Sequence, residues 1–283
     1  DLADVVDSMT KLRSERPTVT QGLVKLNEGV SGAGNAVVDL VGLPAPGAVE
    51  EKDAVLHRVR GMRFESPDVA FDAYVAKLAE RGGIVEELIT GVELRSPSVQ
   101  LRVTPPGAVE LLSTHDQLLG GAGGQTYLGC RFPADFSYAA AISKEALRIG
   151  ERLAREGVLG RFAVDFVVVK DTVGGWTPYA IELNLRKGGT THPFLTMQFL
   201  TDGAYDPTTA MFLTPSGREK HLVATDHLES PALKALSVDD LFDIVARQGL
   251  HFDQARQTGV VFHMISCLTE HGRVGLTAVA DTP

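Results

Sequence analysis

The sequence predicts a mixed α+β protein in which antiparallel strand pairs dominate. Stripes of apolar residues at helical spacing appear early and again in the middle of the chain, and short alternating segments rich in Val, Ile and Leu lie between and after them. Two of those segment pairs are joined by compact glycine- or proline-containing turns, the signature of hairpins. With 283 residues, 44% of them hydrophobic, the chain can bury a sizeable core in one large domain or two ordinary ones.

Val5, Met9 and Leu12 form the first stripe, so residues 2–16 read as an amphipathic helix ended by Pro17. "TQGLVKLNEG" then alternates as a strand, "GVSGAGNA" is a glycine-rich loop, and "VVDLVGL" is the next strand. Residues 44–53 read as a Pro/Gly linker. Ser66 and Pro67 read as the N-cap and first-turn proline of a helix that Gly82-Gly83 stops. "GIVEELITGVE" is a short strand running into a turn, and "SPSVQLRVTPPGAVELLSTHDQ" is two strands around a Pro-Pro-Gly turn. A second glycine-rich loop, "GGAGGQTYLGC", reads as a flexible substrate-side segment. Residues 138–156 carry Ile142, Ala146, Ile149 and Leu153 on one helical face. "RFAVDFVVVK" and "YAIELNL" are strands around "DTVGGW", Ser237 caps a late helix with Asp240, and "GVVFHMISCL" and "VGLTAVA" close the chain as a hairpin.

The net charge is −9 and no long run of Lys or Arg is present, which argues against a nucleic-acid surface. No signal peptide and no apolar run of bilayer length is visible, and Cys130 and Cys267 form no CxxC, so the reading is a cytoplasmic protein with reduced thiols and no membrane partner. The chain opens without an initiating Met, as a fragment of a longer protein would.

Chemistry concentrates in "YAIELNLRKGGTTHPF", which starts as a buried strand yet carries Glu182 and Asn184. Burying an unpartnered carboxylate costs several kcal/mol. A turn centred between Val173 and Gly174 sets Asp165 opposite Glu182, with Ala163 and Val167 on the face of Asp165 and Ala180 and Asn184 on that of Glu182. Opposed like charges are poor for stability, and a divalent cation removes the conflict. Two carboxylates and an amide oxygen suit Mg²⁺. The competing reading leaves Asp165 on a wet face and pairs Glu182 with Arg161 or Arg186.

Lys25 lies mid-strand, and the loop from Gly29 to Asn35 follows, where glycines let backbone N–H groups approach phosphate oxygens and Ser31 adds a hydroxyl. It has neither a Walker A nor a dinucleotide G-x-G-x-x-G order, and such a loop can equally be only a turn. "VEELITGVE" reads as strand, Thr90-Gly91 turn, then Glu93; this backbone could meet an adenine edge and Glu93 ribose hydroxyls, or Glu93 could simply be solvated.

In this order the motifs resemble the ATP-grasp superfamily of carboxylate–amine ligases over residues 18–193. D-alanine–D-alanine ligases carry a hinge similar to "EELITGVE", and carbamoyl phosphate synthetase a metal strand similar to "ELNLR". "KLNEGVSGAGNA", "SPSVQLR", "THDQ", "GGQTYLGCRFPAD", "ELNLRKGGTTHPF", "DGAYD" and "TGVVFHM" are similar to the pheganomycin-type peptide ligase branch, which implies a role in antibiotic biosynthesis. The resemblance implies two α+β subdomains with mainly antiparallel sheets clamping ATP: residues 1–90 as the small one and 91–283 as the large one, with an expected N-terminal pre-grasp domain not in this chain. It implies that Lys25 contacts phosphate under a loop of Ser31, Gly32 and Gly34. Glu86, Glu87, Leu88 and Ile89 would line adenine, and Glu93 would hold ribose. Asp165, Glu182 and Asn184 would hold Mg²⁺. Arg186 would stabilise the transferring phosphate, and Gly188, Gly189, Thr190, Thr191 and His192 would shape the acceptor pocket. Ala163 stands where an Arg often sits, so Arg161 or Arg186 must cover that charge.

The implied reaction activates the carboxylate of an amino acid or derivative as an acyl phosphate, then couples it to the amine of a peptide or amino acid, releasing ADP. His192 is a candidate base or a packed turn residue, and both glycine-rich loops are candidate lids. An ATP-grasp phosphotransferase and a nucleotide-binding module without turnover are the alternatives. The assembly, homodimer included, stays open.

Overall fold

The computed structural model describes residues 1–283 except Glu28, Val30, Ser31, Ala33 and Ala122. It divides into two compact units, Asp1–Thr90 with Leu119–Tyr127, and Gly91–Leu118 with Leu128–Pro283.

The first unit begins with α1 (Leu2–Glu15), whose N-terminus is closed by a capping box between Asp1 and Asp4. It continues through β1 (Gln21–Leu26), β2 (Asn35–Asp39), α2 (Glu51–Arg60), β3 (Arg63–Phe64), α3 (Phe71–Arg81) and β4 (Gly83–Glu87). The strands form an antiparallel sheet in the order β3-β2-β1-β4. Met9 of α1, Val55 and Val59 of α2, and Tyr74 and Leu78 of α3 pack with Val24 and Val38 of the sheet. The buried Arg13–Glu51 ion pair ties α1 to α2, and Arg13 also donates to the Pro44 carbonyl at 2.6 Å.

Two local expectations fail here. The helix α2 begins inside the segment read as a linker, because Glu51 anchors Arg13 and also accepts from the Gly47 amide at 2.7 Å. The helix placed at Ser66-Pro67 begins instead at Phe71, after a turn in which Val69 N donates to Ser66 O.

The second unit holds β5 (Leu94–Arg95), β6 (Pro97–Val103), most of β7 (Val109–Gly120) and of β8 (Thr126–Phe132), α4 (Phe136–Arg155), β9 (Gly160–Lys170), β10 (Trp176–Asn184) and α5 (Thr191–Thr201). It ends with β11 (Ala204–Asp206), β12 (Met211–Leu213), β13 (His221–Glu229), a 3-10 turn, α6 (Val238–Arg247), β14 (Gly259–His263), α7 (Cys267–His271) and β15 (Arg273–Ala280). One large sheet runs β10-β9-β6-β7-β8-β13-β15-β14, with β5 also on β9; β9 pairs antiparallel with β10, β5 and β6, β7 with β6, β13 with β8 and β15, and β14 with β15. The tip of the β7–β8 hairpin, 119–127, groups with the first unit, whereas the sequence kept it with residues 91–283.

Phe162, Val164, Phe166 and Val168 of β9 point to a core with Tyr138, Ile142 and Ala146 of α4. Gly150 permits this close packing, since a Cβ there would come 2.8 Å from Val109 Cγ1. On the other face, α5 brings Phe194 to 6.3 Å from His115 and 5.4 Å from Phe132. The sequence had read no helix at α5. The closing hairpin does form, β14 on β15, but the short helix α7 fills its connection and the first strand stops at His263. Among the described residues no helix is long and apolar enough to cross a membrane.

Candidate functional site

In the second unit, β9 and β10 pair antiparallel, with Asp165 directly opposite Glu182 and Ala163 opposite Asn184. The turn pairs Trp176 with Lys170, one residue away from the predicted register, and a bulge between Ala180 and Glu182 restores it. Ala180 therefore pairs with Phe166 rather than sharing the face of Glu182 as alternation alone implied, and it is exposed. Nor is Glu182 buried: β10 ends the sheet order, so Glu182 is exposed, and the half-buried carboxylate is Asp165.

Asp165 is held by partners from neighbouring strands. Ser98 Oγ donates to Oδ1 at 2.6 Å, Gln100 Nε2 donates to that Ser98 hydroxyl at 3.0 Å, and Asn184 Nδ2 donates to Oδ2 at 3.0 Å. Burial raises the Asp165 carboxyl above the ordinary range and Glu182 pushes it further; hydrogen bonds from Ser98 and Gln117 and the charge of Arg186 oppose that rise. Of the two arginines expected to cover for Ala163, Arg186 is thus the one that offsets Asp165. Arg161 sits opposite Arg102 on β6, and burial and that neighbour lower its pKa.

Two opposed carboxylates with an amide beside them fit a hard divalent cation, because a cation relieves both the desolvation of Asp165 and its repulsion by Glu182. Among the described residues no group of three His, Cys, Asp or Glu side chains is poised around one point. The donor set suits an ion that completes its shell with water and phosphate oxygens, as Mg²⁺ does.

After β10, Thr191 N donates to Gly188 O at 3.1 Å and Gly188 N donates to Thr191 Oγ1 at 3.2 Å, closing a tight turn through Gly189. Thr190 and Thr191 are buried, and His192 is exposed in the first turn of α5. The His192 ring lies 4.7 Å from that of His263, which burial, followed by its neighbour His192, holds below the usual imidazole pKa. A Cβ at Gly275 would overlap the His263 ring, so glycine there makes room for it. Glu93 gives one oxygen to Lys170 at 2.8 Å and the other to Arg95 at 2.7 Å; the Lys170 hydrogen bond is the main cause of its lowered pKa. A Cβ at Gly91 would crowd Val169, which explains glycine at that turn. A groove of about 400 Å³ lined by Gly107, Val109, Leu147, Glu151, Ala154 and Arg155 lies apart from these residues.

In the first unit, Lys25 pairs with Glu86 across β1 and β4, and Glu87 pairs with Arg16 at 3.0 Å. Leu88 N donates to Gln21 O at 3.0 Å, continuing the sheet edge toward Ile89. The ends of the glycine loop are pinned by Leu26 N donating to Gly34 O at 3.1 Å and Asn35 N to Gly32 O at 2.9 Å. Ser31 lies outside the described residues. Sequence reasoning missed Ser98, Gln117, Lys170 and His263 as partners. Only alternation in "SPSVQ", which puts Ser98 and Gln100 on one face, hinted at any of them.

A family model described as "IQCH-like, ATP-grasp" matches residues 55–208, more than half of the chain. The chain belongs to the ATP-grasp family. A second model, "PGM1 C-terminal domain", matches residues 240–283. The L-propargylglycine–L-glutamate ligase of Streptantibioticus cattleyicolor is 30% identical over 99% of this chain and 55% of its own length. IQ motif-containing protein H of Danio rerio is 23% identical over 92% of this chain and 28% of its own length. This ATP-grasp chain thus spans about half of the first relative and about a quarter of the second.

Solved structures share the fold at low identity. The N5-carboxyaminoimidazole synthetase of Staphylococcus aureus, complexed with ADP, superposes with a TM-score of 0.52 at 14% identity, covering 96% of this chain and 60% of that one. The biotin carboxylase domain of Hydrogenobacter thermophilus 2-oxoglutarate carboxylase, with MgADP, gives 0.51 at 14%, covering 80% and 45%. The α+β ATP-grasp fold expected from the motifs is the fold observed.

Proposed function

We propose that this chain is the ATP-grasp part of an ADP-forming ligase that activates the carboxylate of an amino acid or derivative and couples it to the amine of a peptide or amino acid. The observation that carries the reading is the pair Asp165–Glu182, two opposed carboxylates whose charge conflict a metal-bound nucleotide would relieve. In this reading residues 1–90 with 119–127 are the nucleotide-covering subdomain, the rest of residues 91–283 the metal-bearing one, and the setting is the cytoplasm.

Each residue then has a task. Asp165, Glu182 and Asn184 would hold Mg²⁺, Asn184 turning its amide oxygen inward from its present bond to Asp165. The ion, when bound, supplies charge neutralisation for phosphoryl transfer. Lys25 would leave Glu86 for a phosphate oxygen, and Ser31, Gly32 and Gly34 would cover it. Glu86, Glu87, Leu88 and Ile89 would border adenine. Glu93 would take ribose hydroxyls on a carboxylate oriented by Lys170 and Arg95. Arg186, exposed beside Asp165, would steady the transferring phosphoryl group and the later oxyanion.

The substrate carboxylate attacks the γ-phosphorus and ADP leaves; the amine then attacks the acyl carbon and phosphate leaves. The amine must first lose a proton, and His192, exposed next to a neutral His263, can accept it. The turn from Gly188 to Thr191 would border the acceptor. The similarity to a ligase named for two amino acids supports this substrate class.

The test is product analysis with ATP, Mg²⁺ and pools of amino acids and short peptides. The reading expects ADP, phosphate and a new amide in equal amounts. A stable phosphorylated product without amide would make the chain a phosphotransferase instead, and absence of turnover with every acceptor would make it a binding module.

A further inference from the structure

Both glycine-rich segments of the first unit converge on one acid that the reading above does not use. Glu65 follows β3 and is 5% exposed. Its Oε1 accepts from the Gln125 amide and from Thr126 Oγ1, each at 3.1 Å, so it grips the β7–β8 tip. Its own amide donates to Asn35 O at 3.0 Å, at the end of the Gly29–Gly34 loop. Asn35 Nδ2 in turn donates to Gln125 Oε1 at 2.5 Å. Loop end, acid and tip thus form a closed set of contacts.

The glycines match this arrangement. A Cβ at Gly123 would overlap Glu65 Oε2, and one at Gly121 would overlap Oε1. A Cβ at Gly32 would come 2.6 Å from the Gln125 carbonyl oxygen. The tip is glycine-rich where it lies against the carboxylate, and the first loop has glycine where it lies against the tip. Holding an acid there is costly: Oε2 is buried and has no hydrogen-bond partner among the described residues.

We propose that Glu65 is a positioning residue that couples the two loops, so that Gly32, Gly34 and Asn35 of the first and residues 123–126 of the second keep or lose their order together. The coupling stands on these contacts alone; its consequence, that nucleotide phosphates are covered by both loops acting as one, rests on the ligase reading. In the sequence the second loop is a separate, substrate-side segment, and this coupling makes it part of the nucleotide side.

Hydrogen exchange on the full chain without nucleotide tests the coupling, using Glu65→Ala, Gly123→Ala and Glu65→Gln. Gly123 does not need a left-handed backbone, so its substitution acts through the clash with Oε2, and it serves if Glu65→Ala fails to fold. The expected result is exchange about tenfold faster in both segments for Glu65→Ala and Gly123→Ala, as for loss of one or two hydrogen bonds. Glu65→Gln, which keeps the oxygen that accepts from Gln125 and Thr126, should stay within about twofold of wild type. Faster exchange in 123–126 with Gly32, Gly34 and Asn35 unchanged would overturn the proposal, because Glu65 would then hold only its nearer loop. A titration of wild type and variants with Mg²⁺ and a non-hydrolysable ATP analogue separates the consequence. If wild type binds no analogue, the ligase reading fails while the exchange data still decide the coupling. If it binds, the two alanine variants should lose about tenfold in affinity and Glu65→Gln should not.

Discussion

Asp165 and Glu182 face each other across two antiparallel strands but are not equivalent: Asp165 is half-buried and hydrogen-bonded by Ser98, whereas Glu182 is exposed at the sheet edge. The inequality assigns the cost of the site to Asp165. Burial raises its pKa first and Glu182 adds to that, so the ionised form is the one folding disfavours. A group shifted upward contributes stability that is present below its unfolded pKa and lost as pH rises through the folded one. Without metal, Asp165→Asn should therefore melt about 2–4 °C higher at about pH 7, with the gain shrinking toward about pH 4. The same variant should lose Mg²⁺-dependent nucleotide binding. A lower melting temperature at neutral pH would mean that the carboxylate is a net stabiliser.

Lys25 is paired with Glu86, so a phosphate has to take the lysine from that partner. Lys25→Met should weaken binding of an Mg²⁺–ATP analogue by about 10- to 100-fold, the worth of a charge-assisted hydrogen bond, without changing the fold seen by circular dichroism. Unchanged affinity would leave Lys25 a structural partner of Glu86.

Arg13 and Glu51 form a buried ion pair between two helices of the first unit. Glu51→Ala should destabilise that unit by about 3–5 kcal/mol, since it strands a buried guanidinium. Replacing both residues by Met and Leu should recover most of the loss. Denaturant unfolding of the single and double variants reads this directly.

His192→Ala should leave analogue binding unchanged and slow amide formation by about 100-fold or more, the contribution of a positioned base. Gly275→Ala, which forces the His263 ring from its place beside His192, should act in the same direction but less. If single-turnover rates are equal in wild type and His192→Ala, the histidine is a packing residue of the α5 start.

The antiparallel pairs were legible because alternation and compact turns are local. What stayed hidden depends on contacts distant in sequence. The helix α5 has apolar residues on both sides, with Phe194 and Met197 buried and Phe199 exposed, so no helical period marks it. The helix α2 offers Val55, Leu56 and Val59 among charges, after a stretch whose glycines and prolines mask its start. The facing of Asp165 and Glu182 was reached through two compensating departures, a turn displaced by one residue and the bulge before Glu182. Ser98 and Gln117 meet Asp165 because β6 lies between β9 and β7, an order that no spacing in the sequence encodes.

The most direct test is calorimetric titration of a non-hydrolysable ATP analogue into the wild-type chain and Glu182→Gln, each with and without Mg²⁺. The account predicts wild-type binding that requires Mg²⁺ and an affinity lowered by about 10- to 100-fold in the variant, as expected when one charged partner of a metal is lost. Equal binding by both proteins, indifferent to Mg²⁺, would contradict it and leave the two facing carboxylates without a metal to meet.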